Sequence, residues 1–107
     1  MRVTVTARHC DVPDDLRLRA HRLMERIARF ARRPQDGHVV FVAENGRPAV
    51  EVRLRAARGE LCVATAAAAD HRTALDRAVA KVRRQLDKAG RRRRAAAARR
   101  AGRPEAG

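Results

Sequence analysis

The chain has 107 residues and a net charge of +14, with 24 Arg and two Lys against 12 acids, and 23 of its 48 hydrophobic residues are Ala; this length and composition suit one domain with a thin core. No window approaches the ~20 consecutive apolar residues of a membrane span, the opening MRVTVTARHC has no hydrophobic signal core, and two cysteines make no disulfide framework, so a cytoplasmic protein with free thiols and no membrane partner is expected. So large a positive charge repels itself in a compact domain unless a polyanion offsets it, which points to nucleic acid.

Residues 2–8 alternate, with Val3, Val5 and Ala7 on one face and Arg2, Thr4, Thr6 and Arg8 on the other, as a half-buried strand does. Asp11, Pro13, Asp14 and Asp15 supply a helix start, with acids at the positive end of the dipole. A first helix is expected over 14–33, closed by Pro34 and Gly37. Its apolar row is Leu16, Ala20, Leu23, Met24, Ile27 and Ala31, and its basic row is Arg19, Arg22, Arg26, Arg29 and Arg33. His38 to Ala43 reads as an interior strand, and Asn45-Gly46 is a hairpin turn leading to a third strand over 48–57. Gly59 marks the next turn, and 60–66 alternates as a fourth strand.

Asp70 is a good N-cap for a second helix that runs to about Gly90. Leu75, Ala78, Val79, Val82, Leu86 and Ala89 form its apolar row, and Arg77, Lys81, Arg84, Lys88 and Arg91 its basic row. Residues 91–107 add a further +6 with no large apolar side chain, so a domain over 1–90 followed by a flexible basic tail is expected. The order is β-α-β-β-β-α, an α+β fold with two parallel helices on one face of a four-stranded mixed sheet.

Chemistry-bearing clusters are weak. His9, Cys10 and Asp11 adjoin, but neighbouring strand residues point to opposite faces and no second metal-ligand pair occurs, so neither a metal site nor a cofactor is expected. The six glycines are isolated and form no phosphate-cradling loop, and the acids pair with nearby arginines or serve helix starts; the reading is a non-enzyme without a small-molecule substrate. The basic rows carry the signal instead. Ordinary solvated helices mix charge signs, whereas Glu25 is the one acid near the first row and Asp87 the one near the second. With two Phe and no Tyr or Trp, and no GxxG, base stacking and KH-type binding are disfavoured. Phosphate contact through arginine forks remains, suited to structured RNA.

The opening MRVTVTARHCDVPDDLR, the segment GELCVATA and the stretch DHRTALDRAVAKVRRQLDK, with Asp70, Ala74, Asp76 and the run from Lys81 to Leu86 at matching spacing, resemble the ribosome hibernation promoting factor and ribosome-associated inhibitor family, also called the sigma-54 modulation family. Two features are this chain's own: ATAAAA where the family carries acids, and Arg72 near where it has an aromatic residue. The resemblance implies the same fold and a translation silencer. Its partner would be the small ribosomal subunit and its ribosomal RNA, in the channel that holds messenger RNA and the transfer RNA anticodon ends, during stationary phase or stress. It also implies a short form without the dimerisation domain, acting on single ribosomes or with a separate ribosome-pairing factor. Arg22, Arg26, Arg29, Arg77, Lys81, Arg84 and Lys88 would be the RNA phosphate contacts. The alternative from charge alone is a nonspecific nucleic-acid compaction or chaperone protein.

Overall fold

The computed structural model describes residues 1–102. Four strands, β1 (Arg2–Ala7), β2 (Asp36–Glu44), β3 (Arg47–Arg55) and β4 (Leu61–Ala67), and two helices, α1 (Asp14–Ala28) and α2 (His71–Ala101), follow in the expected β-α-β-β-β-α order. The sheet order is β1-β2-β3-β4. β1 pairs parallel with β2, placing Val5 opposite Val39; β2–β3 and β3–β4 are antiparallel. Because β4 returns in the sense of β1, both helices leave their strands in the same direction and run parallel. The tight turn between β2 and β3 has Asn45 at φ 52° and Gly46 at φ 74°, the left-handed pair that such a hairpin requires.

The core lies between sheet and helices. Val39 and Phe41 of β2, Val50, Val52 and Leu54 of β3, and Cys62, Ala64 and Ala66 of β4 face Ala20, Met24 and Ile27 of α1 and Leu75, Ala78, Val79, Val82 and Leu86 of α2, all of them buried. Small residues set the closeness of approach: a Cβ on Gly37 would stand 2.5 Å from the Met24 Cε. At its start α2 is fixed by Asp70, whose Oδ1 accepts from the Thr73 N–H at 2.7 Å, the cap expected from sequence.

Both helix ends differ from the sequence reading. α1 stops at Ala28 with Arg29 as its cap, and the Phe30 and Ala31 N–H groups bond to the Ile27 and Ala28 carbonyls in a terminal turn. Arg33 sits at φ 49°, immediately before Pro34, which excludes the helical conformation from the residue preceding it. α2, by contrast, passes through Gly90 without a break and continues to Ala101, so Arg91 to Ala101 are helical. Gly90 is buried there, and beyond it stands a run of Ala, the best helix former, with each added residue extending an existing helix at no nucleation cost. The last five residues of the expected tail, 103–107, lie outside the described residues.

Candidate nucleic-acid interface

With the sheet below both helices, helical spacing turns Arg22, Arg26 and Arg29 of the α1 row and Arg77, Arg84, Lys88 and Arg91 of α2 outward, and all seven are exposed. Among the described residues none of the seven has a carboxylate within ion-pair range. Two acids of α2, Asp76 and Asp87, are neutralised by arginines at the seam between the helices. Arg19 grips Asp76 with two parallel bonds, Nε to Oδ1 and Nη2 to Oδ2, each 2.9 Å. Bonding to Asp76 raises the Arg19 pKa above its ordinary value. Arg83 bonds Asp87 at 3.2 Å and lays its guanidinium 3.4 Å above the Phe30 ring, tying the exit of α1 to the middle of α2. Two arginines thus cancel two acids at the seam, and the outer rows remain strongly cationic, with Glu25 as the acid beside the first of them.

The residues expected from sequence therefore divide. Arg22, Arg26, Arg29, Arg77, Arg84, Lys88 and Arg91 form the outward face. Arg19 is an interhelical tie, and Arg33 lies beyond the end of α1. Lys81 donates to the Thr65 carbonyl at 2.8 Å, while Gln85 accepts from the Val63 N–H at 3.2 Å and donates to the Val63 carbonyl at 2.8 Å. Those side chains serve as a substitute strand along the free edge of β4. Between the helices Arg19, Arg22 and Arg26 share a depression of about 230 Å³ with the acid Asp15 and with Arg72, which sequence reasoning did not select. Its signal was its place one turn before Asp76, on the seam side of α2 and off the outward stripe. On the other flank of α2, Arg77, Lys81 and Arg84 surround a second depression of about 320 Å³ floored by Ala66, Ala67 and Ala80.

The opposite face of the sheet contrasts with this. There Arg53 pairs with Glu51 at 2.6 Å and Arg55 with Asp36, so acids and arginines are mixed on that face and these two pairs are locally neutral. Cys62 is 4 % exposed, and burial, followed by the nearby Glu60, pushes its thiol up, so it is a core residue in chemical character. Among the described residues no three His, Cys, Asp or Glu side chains gather as a metal site, and no helix is long and apolar enough to cross a membrane.

The family model described as "Sigma 54 modulation protein / S30EA ribosomal protein" matches residues 3–94. The chain belongs to that family. Its members are ribosome-associated, in agreement with the likeness carried by the strand and helix motifs. The family match ends within α2, past Gly90 and short of Ala101. Among solved structures the chain is similar to the Thermus thermophilus Protein Y N-terminal domain, with TM-score 0.70 and 21% identity over 82% of this chain and 98% of that one. It is also similar to a ribosomal subunit interface protein from Coxiella burnetii, with TM-score 0.67 and 20% identity over 84% of this chain and 98% of that one. At such identities these neighbours share the fold. No curated protein matches significantly.

Proposed function

We propose that this member of the family is a translation silencer that binds ribosomal RNA of the small subunit in the messenger and decoding channel and blocks messenger and transfer RNA by filling the space they need. The observation that carries this reading is the contrast between the two faces: a helical layer on which seven outward cations have no ion-pair partner among the described residues, and a sheet face on which Arg53 and Arg55 are paired with Glu51 and Asp36. Arg22, Arg26, Arg29, Arg77, Arg84, Lys88 and Arg91 contact phosphates. Lys81 contributes the donors left over from Thr65, and Arg33 flanks the α1 row. Arg19 acts indirectly, by holding the two rows at a fixed spacing through Asp76. Affinity comes largely from counterion release, and shape complementarity to folded RNA selects the target. The protein works in the cytoplasm, in stationary phase or stress, with a separate factor wherever ribosomes are paired.

Sedimentation with ribosomes, separated subunits and excess duplex DNA at physiological salt tests this. Comigration with the small subunit that resists the DNA, lost in the folded Arg26→Glu/Arg84→Glu variant, is the expected result. Loss of the wild-type protein to the DNA would instead make it a nonspecific nucleic-acid binder.

A further inference from the structure

The continuation of α2 beyond Gly90 builds a second cationic feature that the outward rows do not use. A cleft of about 670 Å³ opens between the last turns of α2 and the short 3-10 turn Ala57–Gly59 that links β3 to β4. Arg32, Arg58, Arg93, Arg94 and Arg100 line it, with Glu60 as its one acid. Glu60 is turned to Arg93, which donates to it at 2.9 Å, so four arginines remain for a ligand.

One backbone hydrogen bond and one ion pair hold this cluster in place. The Ala57 N–H donates to the Arg32 carbonyl at 3.1 Å, fastening the segment after α1 to the turn. Arg93 and Glu60 fasten the helix to the same turn, and Ala96 and Ala97 face Ala57 across the cleft with side chains too small to fill it. Arg58 adopts φ 62°, ψ 32°, a left-handed conformation that costs a residue with a Cβ and that glycine would take freely. An arginine at this position places a guanidinium at the mouth of the cleft against the local backbone preference.

We propose that this cleft is a second binding site for an RNA phosphodiester backbone, separate from the outward rows. The proposal rests on the reading of the protein as a ribosomal RNA binder. Four arginines with little counter-charge match a run of phosphates better than any neutral ligand. Arg100 lies nine residues beyond Arg91, the last of the outward row, so the cleft lengthens the RNA path by about 14 Å along α2.

The test uses the full chain and a fluorescein-labelled RNA hairpin read by anisotropy. Substituting Arg32→Ala, Arg58→Gly, Arg94→Ala and Arg100→Ala together should weaken hairpin binding at least tenfold and flatten the slope of log affinity against log salt by about 3. Unchanged affinity and slope would overturn the proposal. Arg58→Gly alone should raise the melting temperature while weakening binding, whereas a purely structural arginine would lower the melting temperature and leave binding as it was. Tripolyphosphate is the control for a free polyanion: if it binds the cleft as tightly as the hairpin does, the RNA assignment fails. The same cleft variant in the small-subunit sedimentation assay separates the two readings. Wild-type protein that ignores ribosomes yet binds the hairpin through the cleft would sink the silencer and keep the cleft.

Discussion

Replacing Arg22, Arg26, Arg77 and Arg84 with alanine removes four of the seven exposed cations of the outward rows and touches no ion pair, hydrogen bond or core side chain in the described structure. Each phosphate neutralised by such a cation contributes roughly 0.7 to 0.9 to the slope of log affinity against log salt, so seven contacts imply a slope of about −5 to −6. Raising salt threefold should then weaken small-subunit binding by about 200- to 1000-fold. With three contacts left the slope falls to between about −2 and −3, and the same salt step costs only about 10- to 20-fold. Filter binding of labelled small subunits across a salt series gives both slopes, and circular dichroism confirms that the variant keeps its helices. A wild-type slope near zero, or one that the four substitutions leave unchanged, would refute the assignment of the helical face as the RNA-binding surface.

Three further outcomes are expected. Leu75→Ala, at a fully buried position of α2 against the sheet, should lower unfolding free energy by about 3 kcal/mol in urea titration, a large share of what so small a core supplies. Asp70 is held below its ordinary carboxylate value of 3.8, first by the Thr73 N–H and then by the Thr73 hydroxyl, so its charged cap stabilises the fold above that pH and the contribution is lost as pH falls through the lowered value. Asp70→Asn keeps an acceptor and removes the titration, so its acid unfolding curve should lack that part of the wild-type slope. In native buffer Cys10, which is half-buried, should react with a thiol reagent well before Cys62, whose reaction should follow the rate of unfolding.

The strands were legible from their alternation, and β3 buries Val50, Val52 and Leu54 as its pattern marks. β1 only half-buries Val3, Val5 and Ala7, and β4 buries the small Cys62, Ala64 and Ala66 while the larger Leu61 and Val63 stay exposed, because alternation tells two faces apart without saying which one meets the core. The ends of the helices were not. The arginine row through Arg29 and Arg33 extends the helical spacing, but charge spacing alone carries no burial, and Phe30 leaves the core to meet Arg83. Gly90 looks like a stop because glycine so often caps a helix, yet it keeps helical geometry inside α2, where a Cβ would meet only the movable ends of the Arg94 and Arg93 side chains. The cations themselves were placed by periodicity, while their partners were not: Asp76 lies 57 residues from Arg19 and the Thr65 carbonyl 16 from Lys81, so only the folded chain separates a tie from a free contact. The cleft at the end of α2 escaped notice for the same reason, since Arg32, Arg58 and Arg100 share no periodicity and meet only through the fold.

Gln85 and Lys81 have one more effect. By occupying the outer N–H and C=O of Val63 and the carbonyl of Thr65 they obstruct an incoming strand along the middle of the β4 margin, which leaves β1, among the described residues, as the sheet edge without such side chains. A sheet that extends on one side alone is finished after a single addition, because the two β1 strands then face each other and no template remains. Two copies joined through their β1 edges would close into a pair, since neither would present a second edge of that kind.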